Sequence, residues 1–228
     1  QMIDPATSKK KFFLLGIVLF VLTLFSYANT LYSPLNFDDH AVIQQLETSD
    51  SDIYQRFPPL QHRHLFHLSF SINHSQWGTN PFGYHLINIT FHFLTSLVLL
   101  FIVFFTLENG PDWHGKHTFG IAGLTAILFT INPLNTETVT YISGRASGMA
   151  GFFYLTAILL FILGSLNKYS GKLLLIPFYI LTLVAFLAAV LSKETSLTLP
   201  AIIILYDLCF MKNNHWVSFK NRLFFLYL

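Results

Sequence analysis

Charge is what this chain has least of. Asp, Glu, Lys and Arg supply 11% of its 228 residues, less than half the share of about a quarter found in an ordinary soluble domain. That deficit excludes a water-facing surface over most of the chain and points to a bilayer. The net charge of +2 is too small to call for a nucleic-acid partner. Cysteine is nearly absent: Cys209 stands alone in an apolar run, so no internal disulfide and no zinc spacing exist. No internal repeat of fixed period and no low-complexity tract occurs.

What is abundant is apolar. Hydrophobic residues make up 53% of the chain, with 25 Phe and 10 Tyr, a composition that suits lipid-facing surfaces and interfacial belts. After Lys9-Lys10-Lys11, an apolar run from about 12 to 31 is long enough to cross a hydrocarbon core of roughly 30 Å. It exceeds the roughly 7–15 residue apolar region of a signal peptide, and no A-x-A-like site follows, so it reads as an uncleaved span. The three lysines place its N-terminal end in the cytoplasm. Further spans are expected at about 85–107, 118–134, 146–166, 173–191 and 196–210, with the start of another at 223. The fold class is therefore an all-α polytopic membrane protein with at least six spans, a single transmembrane domain over 1–228. The apolar run Leu223 to Leu228 predicts that the protein continues beyond 228.

The long outer loop, 32–84, carries Pro58-Pro59, Asn80-Pro81 and Gly83 as punctuation. Leu65, Phe66, Leu68 and Ile72 fall on one helical face and predict a short interfacial helix. Trp77 and Tyr84 read either as interfacial anchors or as ordinary loop packing. Asn73-His74-Ser75 and Asn88-Ile89-Thr90 match the glycosylation tripeptide. Such short matches mostly arise by chance, and the second lies inside a span.

The alternation of spans sorts the charges. Lys168, Lys172, Lys212, Lys220 and Arg222 fall on cytoplasmic connections. Asp38-Asp39, Glu137 with Arg145, and Lys193-Glu194 fall on the outer, periplasmic or lumenal side. Acidic residues beside a lipid boundary carry a cost and invite a functional explanation, although a solvated loop start accounts for an acidic pair as well. Asn88 and His92, four residues apart, share one face of the second span, where an interhelical hydrogen bond and a substrate contact are both open. This distribution suits transfer of a group from a lipid-linked donor. A carboxylate at the headgroup level takes the proton of an acceptor hydroxyl, and a cation stabilises the departing phosphate. Arg145 and Lys193 are the candidate cations, Arg being better suited to bidentate phosphate contacts. Local ion pairing at helix ends, worth little at a surface, explains the same charges.

Five segments then carry a resemblance. Asn-Phe-Asp-Asp-His at 36–40, Asn-Pro-Phe-Gly-Tyr-His-Leu-Ile-Asn at 80–88 and Phe-His at 91–92 are followed by two more. These are Asn-Pro-Leu-Asn-Thr-Glu-Thr-Val-Thr-Tyr-Ile-Ser-Gly-Arg at 132–145 and Ser-Lys-Glu-Thr-Ser-Leu-Thr-Leu-Pro at 192–200. In order and spacing they resemble the GT-C membrane glycosyltransferases, in the branch of transmembrane and TPR-repeat protein O-mannosyltransferases and their bacterial relatives. The resemblance implies a GT-C-like helical bundle and a mannose-like sugar on a polyprenyl-phosphate donor. The implied acceptor is a hydroxyl of a protein or glycan, with inversion in one displacement and neither cofactor nor metal. Carried over, Asp38 and Asp39 supply the catalytic base, and Arg145 and Lys193 bind the donor phosphate. His40, Glu137, Glu194, His85, Asn88 and His92 support them. The chain departs from the family where an Arg-Pro-Leu step is usual: here stand Arg56-Phe57-Pro58-Pro59-Leu60 and Arg63-His64-Leu65. The TPR region is absent, and Asn135 stands where relatives often carry His. The alternative is a catalytically silent subunit on the same scaffold, acting by helix packing in a larger membrane assembly. A transporter would want charges near the midplane, and here they gather at the outer ends.

Overall fold

A computed structural model describes residues 5–48, 63–109, 117–166 and 172–211. The described residues form helices and their connections, without a strand. In chain order the α-helices are α1 (Pro5–Tyr27), α2 (Asp38–Thr48), α3 (His64–Trp77), α4 (Pro81–Asn109) and α5 (Thr118–Thr130). They continue as α6 (Thr136–Thr140), α7 (Arg145–Leu166), α8 (Lys172–Ser192) and α9 (Leu199–Phe210). Short 3-10 turns lead into α6, α7 and α9.

Two three-helix packs share the contact between α4 and α7. In the first, Leu19 of α1, Leu100 of α4 and Ala122 and Ala126 of α5 meet, the alanines allowing close approach. In the second, Ala157, Ile158, Phe161 and Ile162 of α7 pack on Ala185 of α8 and on Leu199 and Ile203 of α9. The outward faces of α1 and α8 remain apolar, with Phe13, Val21, Phe25, Ile180, Val184 and Leu187 all exposed. Faces of that extent need lipid rather than water, and the protein is an integral membrane protein.

Three helices among the described residues are long and apolar enough to cross a bilayer: Lys9–Thr30, Pro81–Asn109 and Ile142–Leu166. A fourth arises if Thr118–Thr130 and Pro133–Thr140, bent by 48°, count as one broken span. The three overlap the spans expected at about 12–31, 85–107 and 146–166. The stretch 118–134 stops at Thr130 because Pro133 has no N–H to continue the ladder and the Asn132 side chain caps the next turn instead, accepting from Leu134 N. The apolar part of α8, Ile176–Ser192, and the 12-residue α9 are shorter. Lys212, Lys220, Arg222 and the span expected from 223 lie outside the described residues, as do Lys168 and Arg56 to Leu60.

Where α1, α5 and α8 finish and α4, α7 and α9 begin, α2, α3 and α6 form a cap. Its core is Ile43, Phe66, Phe70, Tyr84, Ile142 and Ala146. The interfacial helix expected near 60–72 exists as α3, but its inward face is Phe66, Phe70 and Asn73, while Leu68 and Ile72 are exposed. Asn73 is fully buried, so the tripeptide there is closed to modification in the folded protein. Tyr84 is no interfacial anchor: it is buried and donates through its hydroxyl to Gly78 O at 2.8 Å. Helix α4 starts where Asn80 Oδ1 accepts from Phe82 N and proline takes the first helical position. Trp77 then lies across Gly83, where a Cβ would sit 2.4 Å from the indole.

Candidate active site

The acidic pair opens α2 from a tight turn. Asp39 N donates to Asn36 O at 3.0 Å, and Asn36 N donates back to Asp39 Oδ2 at 3.1 Å. Both carboxylates fall in the first helical turn, where the helix dipole favours negative charge. The turn forces Phe37 to φ +47°, a conformation that costs a bulky residue on the order of 1–3 kcal/mol.

The two aspartates are not equivalent. Asp39 is 1% exposed. Its Oδ1 accepts from Ser143 N at 2.8 Å and Ser143 Oγ at 2.6 Å, while Oδ2 holds Asn36 N. It is an anchor with its oxygens committed. Asp38 is exposed, and its backbone N–H donates to the Tyr141 hydroxyl at 3.3 Å. Burial, and then the charges of Asp38 and Asp39, push the Tyr141 phenol above its ordinary range, so it stays protonated at neutral pH.

Arg145 is 1% exposed at the start of α7. Nε donates to Asn88 Oδ1 at 2.8 Å and Nη2 to Tyr84 O at 3.0 Å. Nη1 reaches Ser69 Oγ at 3.3 Å, and the guanidinium lies 4.4 Å over the Phe70 ring. The phosphate contact expected of Arg145 is corrected by this burial: its donors face inward and fasten α3 and α4 to α7. Asn88 completes the fastening, donating from Nδ2 to Tyr141 O and Ile142 O at 3.2 and 3.3 Å. The adjoining 3-10 turn, Ile142–Gly144, needs glycine at its end, since a Cβ on Gly144 would stand 2.6 Å from Glu137 O.

Lys193 takes the cationic position that Arg145 leaves. It is extended, at φ −157° and ψ 132°, between α8 and the 3-10 turn Glu194–Thr198. Its Nζ donates to Ser147 Oγ at 2.8 Å. Both line a cavity of about 420 Å³ with Gly151, Tyr154, Thr195 and Thr198. Hydroxyls and one ammonium thus border a space whose remaining wall, including Ala150 and Leu155, is apolar.

The other expected residues are spread around this centre. His40 Nε2 meets Leu35 O at 3.1 Å. His85 Nε2 meets Ser33 O at 3.2 Å, and His92 Nε2 meets Thr130 O at 3.0 Å; both histidines are buried, the first joining the segment before α2 to α4 and the second joining the end of α5 to α4. Glu137 is exposed on α6. Glu194 pairs with Arg63 at 3.1 Å, both side chains being nearly half exposed (49% and 42%), so the pair contributes about 0–1 kcal/mol. Asp38, Asp39, Asn88 and Arg145 therefore meet in one network through Tyr141 and Ser143, and Lys193 is bonded to Ser147, two residues beyond Arg145 on α7.

The geometry can be set beside known proteins. The human protein O-mannosyl-transferase TMTC1 is 34% identical over 171 residues, 71% of this chain and 18% of its own. The Drosophila melanogaster protein O-mannosyl-transferase Tmtc1 is 37% identical over 136 residues, 60% of this chain and 14% of its own. Human TMTC2, also a protein O-mannosyl-transferase, is 39% identical over 101 residues, 44% and 11% of the two chains. The chain is TMTC-like. It spans less than a fifth of the length of these relatives. No protein-family profile and no solved structure matches it.

Several residues around the candidate site of this TMTC-like chain were not singled out from the sequence: Tyr141, Ser143, Ser147, Tyr154, Thr195 and Thr198. Ser147, Gly151 and Tyr154 recur at four and three residues, one stripe of α7, and that stripe was a signal open to reading. Ser143 and Tyr141 fall within the motif at 132–145, but their partners Asp39 and Asp38 lie 104 and 103 residues earlier, so no local pattern pairs them.

Proposed function

We propose that this chain forms part of a glycosyltransferase that moves a mannose-like sugar from a polyprenyl-phosphate donor to a hydroxyl of a protein. The observation that carries the reading is the division of labour at the cap: one aspartate anchored, its neighbour open to solvent, and a lysine on a cavity with an apolar wall. Asp38 is the base. Its carboxylate takes the acceptor hydroxyl proton as that oxygen bonds to the anomeric carbon. The bond from that carbon to the phosphate oxygen breaks, its electron pair leaves with the polyprenyl phosphate, and the carbon inverts. Lys193, with the Ser147 and Thr198 hydroxyls, stabilises the phosphate charge, and Leu155 and Ala150 meet the start of the prenyl chain. The TMTC relatives support the sugar and the protein acceptor. The N-terminus is cytoplasmic and the site periplasmic or lumenal, as the three lysines near the start of α1 favour.

The test is transfer from a radiolabelled polyprenyl-phosphate sugar to hydroxyl-bearing peptides, using the full protein in membranes. Asp38→Asn is expected to lower transfer by at least 10²-fold, in line with the loss of a general base, with Lys193 still binding donor. Lys193→Met is expected to raise the donor KM. Transfer at the wild-type rate by Asp38→Asn would remove the base assignment, and an inactive wild type across several sugars would favour the silent subunit.

A further inference from the structure

We propose that Phe37 is an acceptor-recognition residue, its ring being the surface on which the apolar part of a peptide rests while its Ser or Thr hydroxyl meets Asp38. The inference builds on the function proposed above. Phe37 holds φ +47° in a turn closed from both sides by Asn36 and Asp39, a position that glycine or asparagine fills without strain. Its side chain is 88% exposed, so packing among the described residues offsets little of that strain. An observed outlier next to a reactive group is where strain is retained for function. Asp39 is bonded to Ser143 as well as to Asn36, so the backbone turn that presents the ring is held where it stands.

The surroundings say what the ring meets. The Tyr141 hydroxyl lies 3.3 Å from Asp38 N, so Asp38 has one aromatic residue bonded to its backbone and another, Phe37, next to it in the chain. Aromatic rings carry a large contact area at little conformational cost, which makes them anchors for a peptide. A peptide is favoured over the bilayer itself, because sinking this ring among lipids would carry the adjacent Asp38 charge to a boundary that disfavours it.

The experiment compares Phe37→Gly and Phe37→Tyr with wild type, as full protein in membranes, using Ser- and Thr-bearing peptides as acceptors. Phe37→Gly is expected to raise the acceptor KM at least tenfold, to keep the donor KM, and to leave the thermal midpoint level or higher. Phe37→Tyr is expected to retain the wild-type acceptor KM. An unchanged acceptor KM in Phe37→Gly overturns the proposal. A lowered midpoint in that variant shows the ring to be a packing residue and overturns it too. Equal rises in both KM values would identify a bilayer anchor instead. A photoreactive phenylalanine analogue in place of Phe37 reads peptide contact without turnover: cross-linking is expected. Its absence overturns the inference, whereas failed transfer with intact cross-linking overturns only the function reading.

Discussion

Adjacent identical residues can have opposite duties, and Asp38 and Asp39 are such a pair. Asparagine at position 39 would turn an NH2 group toward either Asn36 N or Ser143 N, donor against donor. Asp39→Asn is therefore expected to destabilise the fold by about 1–3 kcal/mol, read as a lower unfolding midpoint in detergent, and to reduce transfer through misplacement of the turn. Sequence reasoning treats the two as exchangeable candidates for the base, and only burial separates them. Arg145 shows the same limit. A lone Arg beside an outer segment reads as a phosphate ligand, yet its donors go to Asn88, Tyr84 and Ser69. Arg145→Leu strands the buried Asn88 Oδ1, at about 1–3 kcal/mol. The expected result is loss of folded protein by size-exclusion and thermal melting, whatever the donor concentration.

At the scale of elements, the site depends on short pieces between the long helices. The 3-10 turn Ile142–Gly144 presses on α6 so closely that Gly144→Ala would put its Cβ 2.6 Å from the Glu137 carbonyl oxygen. This backbone has little room to yield, so Gly144→Ala is expected to lower the thermal midpoint and shift Ser143 away from Asp39. Helix α3 brings a pH dependence. Burial, with His64 and Arg63 beside it, holds His67 below the usual imidazole range. The unfolded chain then binds the proton more readily than the folded one. The stability linked to His67 is present above the unfolded value of about 6.5 and is lost as pH falls through the lower folded value. His67→Gln is expected to flatten the acid side of a melting-temperature profile below about pH 6.5.

At the scale of the molecule, the bilayer class and the helical architecture were legible because they rest on composition and long apolar runs. The first span followed from the run after Lys11, and α1 lies there. Lengths were less legible. The stretch 118–134 reads as a continuous apolar helix until Asn132 Oδ1 and Pro133 end it. The cap was the least legible part, because its inward face was settled by tertiary contact: Phe66 and Phe70 turn to Tyr84 and Arg145, leaving Leu68 and Ile72 outside. The cavity beside Lys193 needs the start of α7 and the end of α8 together, a pairing that neither segment announces alone.

The fastening of the cap also imposes an order on biogenesis. Ser69 precedes Arg145 by 76 residues, Tyr84 by 61, and Asp39 precedes Ser143 by 104. A chain emerging from a ribosome therefore delivers α2, α3 and the start of α4 well before the side chains that hold them. Until α7 has entered the bilayer, the aromatic face of Phe66 and Phe70 and the carboxylate of Asp39 lack these partners. During that interval they are accessible to chaperones and to quality control, and a chain halted before position 145 would keep them so.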